Sequence, residues 1–124
     1  MDLALQGKIA VVTAASKGIG LAVARMLVEE GAKVVAGART IDALIGLPGI
    51  TALPVDLGSP DGPARLVAHA VETHGRVDIL VNNMGGVRLR LNGFLGTSDE
   101  EFEWSMRMNF FSRCAPRGPL SRTC

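Results

Sequence analysis

The sequence predicts an α/β protein built on an open, doubly wound parallel sheet of four strands in the order 3-2-1-4. Three observations carry that expectation. Short runs are apolar throughout, stretches of helical period separate them, and glycine or proline marks most junctions. A strand with no polar alternation is buried on both faces, which requires helices on both sides of its sheet. Alternating strands and helices make βαβ units, and right-handed crossovers leave few ways to arrange them.

Lys8-Ile9-Ala10-Val11-Val12-Thr13 is the first such run. Lys17 to Glu30 follows at helical spacing, with Ile19, Ala22, Val23, Met26 and Leu27 as its expected inner face and Gly31 as its terminator. Lys33 to Ala38 is the second strand, and Thr40 to Leu47 reads as a short, weak helix ended by Pro48-Gly49. Thr51 to Val55 reads as a third strand whose Pro54 suits a sheet edge. Ser59-Pro60 has the cap-then-proline pattern of a helix start, and Ala64, Leu66, Val67, Ala70 and Val71 form the expected inner face. His74-Gly75 ends that helix, and Val77 to Asn82 is the fourth strand. Residues 85–97 carry four glycines and read as a loop, after which Thr97-Ser98-Asp99-Glu100-Glu101 opens an unusually apolar helix.

Composition narrows the function classes. The chain has 124 residues, 48% hydrophobic and 20% charged, which fits one domain with an ordinary core. No apolar run approaches the roughly 18 residues of a membrane span. The first six residues lack the cationic start and long apolar stretch of a secretory signal. A formal net charge of +1 argues against nucleic-acid binding by phosphate neutralisation. Cys114 and Cys124, both near the end, make a poor disulfide framework, so a reducing, cytoplasmic setting is expected. No Cys/His cluster has metal-ligand spacing, and His69 and His74 read as ordinary surface or helix-end histidines. Tyrosine is absent altogether.

Thr13-Ala14-Ala15-Ser16-Lys17-Gly18-Ile19-Gly20 joins the first strand to the first helix, where a βαβ unit binds phosphate. Helix N-terminal amides point outward there, the helix dipole favours an anion, and glycine permits close approach. On the two glycines alone, a tight structural turn remains the competing reading.

Three further segments add to this loop. They are Gly7 to Thr13, Val55-Asp56-Leu57, and Asp78-Ile79-Leu80-Val81-Asn82-Asn83-Met84-Gly85. With the loop, they make the chain resemble the short-chain dehydrogenase/reductase family along residues 5–112, as an incomplete Rossmann-like domain. The resemblance implies a nicotinamide cofactor held by Thr13, Ala15, Ser16, Lys17, Gly18, Ile19 and Gly20. It implies that Asp56 hydrogen-bonds the adenine amino group with Leu57 alongside the ring, and that Asn82, Asn83, Met84 and Gly85 line the cofactor at the end of strand four. Two departures stand out. The family usually has glycine where this chain has Ala14, and alanine where it has Met84. Ala14 adds a methyl near the adenosine ribose, and Met84 a bulkier side chain near the cofactor, which is expected to weaken binding.

Charge bears on the choice of cofactor. An NAD-preferring site places a carboxylate after strand two to bind the ribose hydroxyls. Ala38 and Arg39 stand there instead, and Lys17 adds a second cation before Gly18. Two cations suit a 2′-phosphate, so NADP(H) is expected over NAD(H), with solvated surface charges as the alternative.

Family enzymes interconvert carbonyls and alcohols of small molecules, with a Ser, a Tyr-x-x-x-Lys and an Asn. Asn109 matches the Asn, while the Ser and Tyr-x-x-x-Lys are expected downstream of residue 124. The 124 residues alone are therefore expected to bind cofactor without turnover. A homo-oligomer is implied for an intact relative. Residues 113–124 are expected to be an aberrant tail, because Pro116 and Pro119 break the helix begun near Ser98. Reading GC-rich codons one base earlier permits Ala-Val-Arg-Ala-Thr-Arg-Ala-Ala-Leu-Pro-His-Leu, which continues the helix, so a frameshift is expected. The alternatives are a natural short product serving as a nucleotide-binding module, or a non-functional fragment.

Overall fold

The computed structural model describes residues 3–85 and 93–111. The expected tail, residues 113–124, and most of the glycine-rich loop lie outside them. Four parallel strands form one sheet in the order β3-β2-β1-β4. They are β1 (Ile9–Thr13), β2 (Lys33–Ala38), β3 (Ile50–Pro54) and β4 (Ile79–Val81), interleaved with helices α1 (Gly18–Glu29) and α2 (Gly62–His74) and followed by α3 (Asp99–Met106). No described helix is long and apolar enough to cross a membrane.

Alternation along the buried strands separates two cores, one on each sheet face. Ala10, Val12, Val34 and Ala36 meet α1 through Leu21, Ala24, Leu27 and Val28. Val11 and Val35 point the other way, into a cluster with Val55, Leu57, Leu66, Ala70 and Met84. That two-sided burial is why β1 and β2 read as unbroken apolar runs.

Several elements differ from the sequence reading. Gly20 and Ala24 are the buried residues of α1, and Leu27 packs half-buried on the same core as expected, but Ile19 stands 75% exposed. Small residues let the helix axis approach closely, which rotates Ile19, Ala22 and Met26 outward. On α2, Pro63, Leu66, Val67 and Ala70 are buried, while Ala64 and Val71 are exposed. Residues 40–47 make turns instead of a helix. Leu44 and Ile45 donate to the Ile41 carbonyl, and Gly46 then adopts φ +82°, which no right-handed helix continues. Ser59 does not cap α2. Its hydroxyl donates to the Asp56 carbonyl (2.6 Å) and accepts from the Gly62 amide (3.1 Å), closing a turn before the helix starts at Gly62.

β3 begins one residue earlier than expected, and Pro54 does lie on an edge strand. β4 is shorter at both ends, because side chains take over its ladder. The Asp78 carboxylate accepts the Ile9 amide, and Thr13 accepts the amides of Asn83 and Met84. The stops at Gly31 and Gly75 appear as read. Gly31 and Ala32 donate to Val28 and Leu27 in a two-bond helix ending, and Gly75 sits at φ +84°. At α3, Ser98 and Glu101 exchange side-chain and backbone bonds in a capping box.

Candidate functional site

Ligands of open α/β sheets sit outside the strand carboxyl ends, where the strand order reverses. Here the reversal lies between β1 and β4, with β2 leading away on one side and β4 on the other. The loop 13–20, Arg39, Asp56-Leu57 and Asn82 to Gly85 each follow a strand's carboxyl end. Four separate stretches of sequence thus converge on one rim.

Thr13 knits the rim together. It is fully buried, its hydroxyl donates to the Val81 carbonyl (3.3 Å), and it accepts the amides of Asn83 (2.9 Å) and Met84 (3.1 Å). The side-chain amide of Asn83 donates to the Ala14 carbonyl (3.2 Å), and the Ala15 amide donates to Gly37 (3.4 Å). The loop after β1 is therefore pinned to β4 on one side and β2 on the other.

Glycine is required twice in that loop, for different reasons. At Gly20 an added Cβ would collide with the Ala14 carbonyl oxygen and lie 2.6 Å from Asn83 Nδ2. At Gly18 the backbone adopts φ +59°, and an added Cβ would meet nothing within 4 Å. The space beside Gly18 is open, and it adjoins the N-terminus of α1. Lys17, at the N-cap, provides no side-chain hydrogen bond, and the first turn holds no carboxylate. Its outward amides and dipole are thereby left for an anion. A dinucleotide's pyrophosphate fits this cradle.

The remaining residues divide into surface and support. Ser16, Lys17, Gly18, Ile19, Arg39, Asp56 and Gly85 reach the surface to differing degrees, and Asn82 and Asn83 are half-buried. Arg39 is exposed one residue past β2, beside the loop that Ala15 ties to that strand. Asp56 accepts the Gly58 amide through Oδ1 (2.9 Å) and is otherwise exposed. Ala15 lies in the core on the α1 side of the sheet. Leu57 is buried in the opposite core. Met84 is 8% exposed and packs in that same core. The methyl of Ala14 also packs there.

Asn109 is half-buried and donates through Nδ2 to the Ser105 carbonyl (3.0 Å). It lies in a π-helical turn, Arg107–Phe111, that continues α3. Such turns are rare and frequent at functional sites. Met108 of this turn packs against the core that contains Met84 and Leu57. Nothing in the residue pattern announced the π turn. The left-handed backbone of Ala14 (φ +52°) was foreshadowed by its standing where the family usually has glycine.

At the amino end of the sheet, Asp78 holds β1 and β4 together. It accepts the Ile9 amide (2.9 Å) and Arg76 Nε (2.9 Å), while Arg76 also donates to the Gly7 carbonyl (3.1 Å). The Ile9 amide first, then Arg76, holds the Asp78 carboxyl below its ordinary value of 3.8. No group of three or more metal-ligating side chains occurs among the described residues.

Fold and strand order together define a Rossmann-like, doubly wound α/β protein. The short chain dehydrogenase family model matches residues 8–115, and the chain belongs to that family. It is similar to dehydrogenase/reductase SDR family member 4 of Caenorhabditis elegans, 36% identical over 84% of this chain and 43% of the relative. Among solved structures it resembles L-sorbose reductase of Gluconobacter frateurii in complex with NADPH and L-sorbose. That match has a TM-score of 0.84 at 30% identity, covering 95% of this chain and 48% of the other. NADH-dependent reductase A1-R′ in complex with NAD gives a TM-score of 0.86 at 27% identity, over 95% and 52% of the two chains. The chain thus spans about half the length of these relatives.

Proposed function

We propose that the chain is the cofactor-binding half of an NADP(H)-dependent oxidoreductase acting on a small carbonyl or alcohol in a cytoplasmic setting. The observation that carries this reading is the convergence of four strand ends on an uncapped α1 N-terminus beside the open space at Gly18. The α1 amides would bind the pyrophosphate, with Lys17 reinforcing the positive field. Arg39 would pair with a 2′-phosphate, and the exposed Asp56 carboxylate would accept from the adenine amino group. Bound there, the cofactor supplies or accepts the hydride that interconverts carbonyl and alcohol. Asn109, held through Ser105, would orient groups at the reacting end.

The 124 residues contain no tyrosine, so the acid/base group of the family mechanism is not among them. By themselves they bind cofactor and do not turn over. Fluorescence titration of the purified chain tests this reading. Saturable NADPH binding tighter than NADH binding is expected. Equal affinity removes the preference, and no saturable binding removes the cofactor role. A steady-state reductase assay tests the second half, and turnover by this chain alone would overturn it.

A further inference from the structure

We propose that Ala14 and Met84 act as a coupled positioning pair that holds the loop after β1 in its left-handed turn. Ala14 is at φ +52°, a conformation that side-chain-bearing residues rarely adopt and keep only when their surroundings impose it. Those surroundings are on two sides. The Ala14 carbonyl accepts from Asn83 Nδ2 and lies directly over the bare Cα of Gly20. Its methyl packs on the core of Val11, Val35, Leu57 and Leu66, which Met84 also fills. Met84 is tied to the residue preceding Ala14, because its amide donates to the Thr13 hydroxyl (3.1 Å).

The two side chains therefore share one core, and the Met84 main chain is tied to the residue next to Ala14. Shortening Met84 removes packing on the side where the Ala14 methyl rests, and the strained turn is free to relax. A glycine at position 14 would adopt the same φ unaided and need no such support. The two substitutions are predicted to be strongly non-additive, as expected of residues sharing a core and a hydrogen-bond network. The loop carries the amides that lead to Gly18, so its relaxation alters the anion cradle. This consequence for affinity rests on the cofactor reading above, whereas the coupling itself does not.

The test is a double-mutant cycle of Ala14→Gly and Met84→Ala on the full chain. It is read by urea unfolding and by NADPH titration well below the unfolding midpoint. Met84→Ala is expected to raise the NADPH dissociation constant about tenfold in the Ala14 background and threefold or less in the Ala14→Gly background. Met84→Leu, which keeps most of the volume, should restore wild-type affinity. Val34→Ala, in the opposite core, should lower the unfolding midpoint and leave the affinity unchanged. If Met84→Ala does not fold, Met84→Val takes its place in the cycle. Equal effects of the Met84 substitution in both backgrounds, in unfolding and in binding, would overturn the pairing. No saturable NADPH binding by the unsubstituted chain refutes the cofactor reading instead, and the unfolding cycle then decides the pairing alone.

Discussion

Replacing Thr13 with valine removes one oxygen from the rim and leaves its shape intact. That oxygen is fully buried and accepts two backbone amides, from Asn83 and Met84, while donating to Val81. Each amide that loses its partner in the interior costs about 1–3 kcal/mol. The Met84 bond is buried and the Asn83 bond only partly so, which places the second amide at the lower end of that range. The extra methyl of valine recovers about 1 kcal/mol. The net expectation is a loss of roughly 1–3 kcal/mol, a sizeable fraction of the stability of a domain this small. Thr13→Ser makes the opposite change, keeping the oxygen and deleting a methyl, at about 1 kcal/mol. Urea unfolding followed by far-ultraviolet circular dichroism ranks the two. The hydrogen-bond argument requires valine to be the more damaging substitution. A valine variant as stable as the serine variant would show that the hydroxyl is not the tie between β1 and β4.

Other consequences follow from single residues. Asp78 has its carboxyl lowered from 3.8 by the Ile9 amide and Arg76, so its stabilisation is present above that value and lost as pH falls through the lower folded value. The thermal midpoint of the native chain should drop on acidification through this window, and Asp78→Asn should flatten the drop while lowering the midpoint at neutral pH. Gly20→Ala should destabilise by at least about 2 kcal/mol and abolish NADPH binding, because its Cβ collides with main chain. Gly18→Ala meets open space and should cost only the left-handed strain of about 1 kcal/mol; equal damage from the two would contradict the cradle geometry. Arg39→Ala should weaken NADPH about tenfold and change NADH less than twofold, by titration.

Elements whose signal is local could be read from the residues. β2 has the bounds its residues predict, because the apolar run from Val34 to Ala38 has no competing period. Gly75 ended α2 as read because a left-handed cap is a property of one residue. The misread elements depended on partners distant in sequence. Ile19 and Met26 look like an inner face until the close approach of Gly20 to Ala14 and Asn83 rotates α1. β4 loses its ends because Asp78 binds Ile9 and Thr13 binds Asn83, pairings separated by about seventy residues. Ser59 reads as a cap until the Asp56 carbonyl, three residues back, claims its hydroxyl.

The same distinction governs the site. A motif records every position that a binding loop constrains, whether the constraint comes from a ligand or from the protein beneath it. Lys17, Gly18, Arg39 and Asp56 face outward, where a ligand can use them. Thr13, Ala15, Leu57 and Met84 are buried, where their side chains pack on or bond to the protein itself. Physical chemistry separates the two groups without alignment. A buried hydroxyl with three partners has no capacity left for a ligand, whereas an exposed guanidinium one residue beyond a strand end does. On that ground the Met84 side chain, which the motif places at the cofactor, belongs to the core. Substituting it should therefore change affinity only as far as it moves the loop.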